Sequence, residues 1–396
     1  MTMRYLFSHL VLLGFMFAAA GFVHAAPYKP VADDVVLERL PERTDPSLAE
    51  LKRLRRALAQ RPNDTTIAMR VAQRSIEAAR ESGDPRRLGQ AQAALAPWWG
   101  AADAPLPIVV LRATIKQSLH DFDAALADLA LVLKKEPGNA QARLTRASVL
   151  TVIGRYADAS ADCAALARVA PPLVVTACNA QPRSVNGEAS DAYAALAAAL
   201  QRPDNSTAIV EWALTLAAEI AARRGDHVAA ENHFRRALAL DPRDAYLLAA
   251  YADFLLDRGR PREAAAVATT AIANDNLLLR VAIAEARLAD PTPDEQRRAE
   301  THRADLAARF AALRARGDIV HRREEAMYAL HLERDARRAL DLARANWQVQ
   351  KEPADLRILA EAARAARDRA SVDVVEAWIR QHRLEDAALA AVMGAA

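Results

Sequence analysis

Apolar positions recur at helical spacing along almost the whole chain, in segments closed off by Pro, Gly and Asn/Asp clusters. No run alternates with the period of two that a half-buried strand needs. Counting segments between breakers predicts roughly twenty helices, from near Ser47 to a short cap at about 385–393. Residues 26–46, APYKPVADDVVLERLPERTDP, carry four prolines and no helical period, and are expected to be an extended lead-in. Before them, MTMRYLFSHLVLLGFMFAAAGFVHAA has Arg4 ahead of an apolar run from about Tyr5 to Val23. Val23-His24-Ala25 then precede a cleavage point before Ala26, as in a secretory signal peptide. The run also approaches the length of an uncleaved anchor helix, and cleavage is the reading adopted. The mature chain has no second run of comparable apolarity, so no membrane span is expected after cleavage.

The helical segments repeat. Laying 106–139 over 140–173 places Ala113 over Ala147, His120 over Gly154, Phe122 over Tyr156, Ala125 over Ala159, Leu129 over Cys163 and Pro137 over Pro171, every pair separated by the same interval. A second pair of units, offset by that interval again, sets Ala218 over Ala252, Gly225 over Gly259, Ala230 over Ala264 and Ala237 over Ala271. Small residues at two crossings let antiparallel helices approach closely. A glycine suits the turn between them, and a proline ends the second helix. These residues, and the interval itself, resemble the tetratricopeptide-repeat family, whose unit is a helix–turn–helix with this period. The resemblance implies an all-α, right-handed superhelical solenoid with the first helix of each pair on the concave face. It covers 106–276, with one degenerate unit near 174–205. Divergent pairs are expected over 47–105, and irregular helical repeats with a capping helix over 277–396.

Composition agrees with helices. Apolar residues make up 52% of the chain and aromatics only 5%, so Ala and Leu dominate. Charge is 53 basic against 50 acidic residues, interleaved along most segments, and no basic stripe or clustered basic face stands out, so no nucleic-acid partner is expected. Cys163 and Cys178 are the only cysteines, and in an exported protein they are expected to be joined.

The candidate chemistry dissolves into architecture. His120, Asp121, Asp123 and Asp128 crowd one short stretch, but in the repeat register His120 is a turn residue. Asp121 and Asp123 start the second helix, where carboxylates accept free N–H groups. The other histidines, among them His227, His233, His321 and His331, lack the i, i+4 spacing of a helical zinc site and are read as exposed. Glu324-Glu325 read as part of a solvated charged face. No nucleophile elbow, phosphate loop or dinucleotide fingerprint occurs, so no enzyme, cofactor or metal is expected. Trp98-Trp99, Trp347 and Trp378 read as packing residues.

The family register places Trp212, Thr215, Glu219 and Arg223 in one unit, and Tyr246, Ala249, Asp253 and Asp257 in the next, on the concave groove. The earlier units contribute Thr114, Ser118, Leu144, Ser148 and Val152. The resemblance therefore implies an aromatic step of Trp212 and Tyr246 beside an acidic patch, a docking site for a protein or peptide with a basic or N-terminal group. The expected function is a non-catalytic scaffold or assembly factor in the bacterial envelope, placed in the periplasm by its signal. The alternatives are an accessory subunit of a transporter or secretion complex, or an enzyme with dispersed site residues.

Overall fold

The computed structural model describes residues 46–82, 84, 86–202 and 206–394, with backbone only over 46–48; the signal peptide and nearly all of the lead-in lie outside the described residues. Among them are twenty α-helices and no strand. They are α1 (Pro46–Gln60), α2 (Thr65–Ser82), α3 (Arg86–Ala94), α4 (Leu106–Ser118), α5 (Phe122–Lys135), α6 (Ala140–Val152), α7 (Tyr156–Ala165), α8 (Pro172–Ser184), α9 (Ala189–Ala199) and α10 (Thr207–Arg223). There follow α11 (His227–Leu240), α12 (Ala245–Asp257), α13 (Pro261–Ala268), α14 (Asp275–Ala286), α15 (Pro293–Ala315), α16 (Arg322–Tyr328), α17 (Ala336–Val349), α18 (Pro353–Ala365), α19 (Arg369–His382) and α20 (Ala387–Gly394).

From α2 onward each even-numbered helix packs antiparallel on the odd-numbered helix after it, giving nine hairpins closed by α20. Each even-numbered helix also packs on the next even-numbered one, without a break from α2 to α20. The even helices form the tighter, inner layer of a curved stack, and the odd helices splay around them. The crossing alanines explain how close the layers come: Ala113, Ala125, Ala159, Ala218, Ala230, Ala252 and Ala264 are all 0% exposed, and so are Ala72 and Ala339 in the divergent hairpins. Helix starts follow local chemistry, with Asn139, Asp226, Asp244, Asp335 and Asp368 each accepting from a backbone N–H of the first turn. Asp121 occupies the same position, but its side chain makes no such bond.

Among the described residues, the turn between the two helices uses one left-handed residue in seven of the nine hairpins. Gly154, Gly187, Gly225 and Gly259 fill it as the register requires, and His120 fills it at φ 60° without the benefit of glycine. In the C-terminal hairpins Arg334 and Arg367 do the same work. After α16 the chain widens into a π-helical turn over Ala329–Glu333 before it reaches Arg334.

Ion pairs on buried aspartates, which the hydrophobic register does not reveal, clamp the two helices of a hairpin to each other. Arg112 on α4 donates to both oxygens of Asp128 on α5 at 2.8 and 2.6 Å, and Lys116 reaches the same carboxylate at 2.8 Å. One period on, Arg146 grips Asp162 at 2.6 Å through both nitrogens, joined by Arg143 at 3.0 Å. Asp128 is thus a structural anion rather than a stray residue of the His120 cluster. Cys163 on α7 and Cys178 on α8 are bonded, with Cα atoms 5.4 Å apart, and tie one hairpin to the next.

The stack also closes on itself. The turn after α6 meets the C-terminal hairpins: Lys351 N–H donates to Val152 O at 2.7 Å, and the Tyr156 ring packs edge-on against Trp378 and His382. His382 Nδ1 lies 2.9 Å from Asn186 Oδ1, in the turn of the following hairpin. The backbones come so close here that a Cβ on Gly154 would stand 2.8 Å from the Trp378 ring.

Three substitutions test these contacts by urea denaturation. Gly154→Ala combines a φ of 80° with that clash, and is expected to cost about 2–4 kcal/mol. Gly259→Ala, with a φ of 66° and open space around it, should cost about 1 kcal/mol. Asp128→Ala leaves the buried Arg112 charge uncompensated and should cost about 3–5 kcal/mol, whereas Arg112→Met combined with Asp128→Leu should recover most of that loss.

Candidate functional site

The inner faces of α10, α12, α14, α16 and α18 bring the sequence-predicted groove residues and the C-terminal hairpins together. Tyr246, the second residue of α12, is 58% exposed, while the apolar positions after it, Leu247 and Leu248, turn into the core. Its hydroxyl donates to Glu219 Oε1 on α10 at 2.7 Å. The Glu219 charge raises the Tyr246 hydroxyl well above its ordinary range, so it stays a donor. Burial in turn pushes Glu219 up from the usual carboxylate range, against Arg223.

The remaining predicted residues are placed differently. Trp212 packs half-buried on the core that α10 and its neighbours share, and no ring contact joins it to Tyr246 among the described residues. Thr215 is buried, and its hydroxyl donates to Glu211 Oε1 at 2.9 Å. Ala249 is buried. Arg223 donates to Ser184 at 3.0 Å on the preceding hairpin. Thr114 and Ser118 turn back onto carbonyls of their own helix, and the Val152 carbonyl belongs to the closing contact with Lys351.

The acidic patch is neutralised from within the chain. Asp253 accepts from Arg280 on α14 at 3.0 and 2.8 Å. Asp257 accepts from Arg357 on α18 at 2.5 and 2.6 Å, across 100 residues of sequence. Burial raises the Asp257 carboxyl in spite of that partner. Arg357 holds Glu361 as well, at 2.8 Å. Burial alone would push Glu361 up, but His331 and Arg357 bring it down to about 2.

A second charged group completes the inner face, and sequence reasoning missed it. Arg323 on α16 donates to Glu324 at 3.2 Å, Glu352 at 3.0 Å and Asp355 at 3.4 Å, and its charge is felt at Tyr246, Glu219 and His120. Glu324 is buried, not solvated: desolvation works against its charge, yet Arg323 and Arg280 hold it at about 2. Its neighbour Glu325 is buried too, between Arg314 at 2.7 Å and Arg338 at 2.5 Å. Asp355, fully buried at the start of α18, is pushed up to about 6 because burial outweighs Arg323. The only sequence signal for this group is the Arg-Arg-Glu-Glu run at 322–325, which reads like any charged helix face until the fold turns it inward.

Among the described residues most histidines are structural partners rather than exposed side chains, and His227 lies against the Phe254 ring. His233 is buried with Nε2 3.0 Å from the Tyr193 hydroxyl; His302 meets Glu285, His321 meets Asp318, and His331 meets Glu361. His120 sits against Gln350 at 3.3 Å, and burial followed by the Arg323 charge lowers its pKa, favouring the neutral ring. No group of three or more His, Cys, Asp or Glu arranged to hold a metal occurs among the described residues.

No protein-family model matches the chain, and no curated protein matches it either. Solved structures do. One is a tetratricopeptide repeat protein from Parabacteroides merdae, 18% identical, covering 60% of this chain and 92% of its own, with a TM-score of 0.38. Another is the human IFIT1 dimer with PPP-AAAA, 14% identical, covering 84% of this chain and 86% of its own, with a TM-score of 0.44. A third is the Cut9–Hcn1 hetero-tetramer of the APC/C, 13% identical, covering 88% of this chain and 86% of its own, with a TM-score of 0.41. By its own geometry, a stack of antiparallel helix pairs with buried alanine at the crossings of its regular units, this chain is a tetratricopeptide-like helical solenoid.

Proposed function

We propose that the chain is an exported, non-catalytic interaction scaffold of the bacterial envelope, and that its inner face holds a segment of a partner protein at Tyr246 and Glu219. The observation that carries this reading is Tyr246. Of the large apolar side chains left exposed among the described residues it alone is aromatic, and it stands on the inner layer with a carboxylate fixed at its tip. An exposed aromatic with a defined polar handle offers contact area at little entropic cost, the usual character of an interface anchor. Trp212 and Thr215 are taken up by packing and by Glu211, Arg223 flanks Glu219, and Asp253 and Asp257 keep their arginines, so the groove recognises mainly through Tyr246 and Glu219.

Two features favour a scaffold over an enzyme. Both cysteines are consumed in a disulfide, and the histidines that meet carboxylates or Tyr193 do so as structural partners. Export is supported by the apolar run at Tyr5–Val23 and by the pairing of the only two cysteines, a bond that persists in oxidising compartments. No helix among the described residues is long and apolar enough to cross a membrane.

A photo-crosslinking amino acid placed at Tyr246 in living cells should capture one protein from the envelope fraction. The same probe at Val228, 85% exposed on the outer layer, should not capture it. Glu219→Gln, which keeps the side-chain shape and removes the charge, should reduce the adduct about tenfold, the cost of about 1–2 kcal/mol at an anchor contact, with little change in the thermal midpoint. Equal capture from both positions, or capture indifferent to Glu219→Gln, contradicts the reading.

A further inference from the structure

Helix α1 carries a charged face that nothing among the described residues neutralises. Leu51 and Leu54 are buried against the stack and Leu58 packs partly behind them, while Lys52, Arg53, Arg55 and Arg56 are exposed. At 100° per residue the four cations share one arc of about 160°, opposite the apolar side. None of them has an acidic partner among the described residues, in contrast to Arg280, Arg323 and Arg357 on the inner face. The single acid of α1, Glu50, is already shared by Arg70 at 2.9 Å and Arg74 at 3.2 Å, two further exposed arginines from α2. Lys52 and Arg56 lie at i, i+4, and Lys52 and Arg55, like Arg53 and Arg56, at i, i+3, so the face repels itself in water. The clustered basic face that composition alone did not reveal is therefore present, at one end of the solenoid.

We infer that this face docks the protein on a membrane rich in anionic phospholipid headgroups, as a peripheral contact. Point charges spread over a shallow face match a plane of phosphates and gain from its surface potential within about a Debye length. Single-stranded nucleic acid would call for aromatic platforms among the cations, and no aromatic residue occurs between 46 and 97. The sequence ahead of α1 carries the apolar run at Tyr5–Val23, which brings the emerging chain to a bilayer. The inference stands independently of the inner face.

Cosedimentation of the purified protein in its processed form, with the N-terminus read by mass spectrometry, tests it. Phosphatidylglycerol vesicles should bind the protein at least about fiftyfold more tightly than pure phosphatidylcholine vesicles, and 500 mM NaCl should abolish the preference. Lys52→Gln/Arg53→Gln/Arg55→Gln/Arg56→Gln should lose at least about tenfold in affinity for the anionic vesicles, and the milder Arg53→Gln/Arg56→Gln an intermediate amount, with unchanged circular dichroism. Equal binding to both vesicle types, unchanged binding by both variants, or tighter binding of duplex DNA than of anionic vesicles would overturn it.

Discussion

The closeness of paired helices, set in the regular hairpins by alanine at the crossings, is the constraint on which this structure rests. A solenoid has no central core: each hairpin buries its apolar stripe only against its neighbours, so stability is a sum of adjacent interfaces. Ala113, Ala125, Ala159, Ala218, Ala230, Ala252 and Ala264 are all fully buried, so a larger side chain at any of these crossings would have to be accommodated inside the packed interface. The Arg112–Asp128 and Arg146–Asp162 clamps follow from the same closeness. Helices this near bury the charged ends of long side chains along with their stems, and a buried charge must then be met by another.

Curvature accumulates from hairpin to hairpin until the C-terminal pairs return to the early ones. At that seam Tyr156 is enclosed by Trp378, His382 and the Lys351 backbone, and Gly154 and Gly187 supply the absence of a side chain where Trp378 and Arg383 pass. Closure also decides the chemistry of the inner face. It brings Arg323 and Arg357 from the C-terminal hairpins onto carboxylates of α12, α16 and α18, and leaves Tyr246 and Glu219 bonded to each other rather than to an arginine.

Much of the architecture is legible in the chain. The turn position of His120 is readable because Gly154 lies one period on, and the left-handed backbone at both confirms it. Arg334 and Arg367 take the same conformation but could not be read, since the turn tolerates a non-glycine residue wherever its neighbours hold it and glycine is the only visible marker. Glu324 and Glu325 read as solvated because charged residues usually are. Their burial depends on Arg323, Arg314 and Arg338 arriving from the same and adjoining helices. Asp253 and Asp257 were placed on the inner side by register, but their partners Arg280 and Arg357 lie 27 and 100 residues away, outside any local pattern.

What the sequence determined by itself was the local rule: a helix pair of fixed period, small residues at its crossings, a left-handed turn and a cap. Each of these is a property of residues within one period. What only the tertiary structure decided was which distant hairpins meet: His120 with Gln350, Val152 with Lys351, Asp257 with Arg357. Those contacts depend on a small rotation per hairpin summed over many hairpins, and a degenerate unit, a π-turn or a helix as long as α15 shifts that sum without leaving a mark on the repeat pattern.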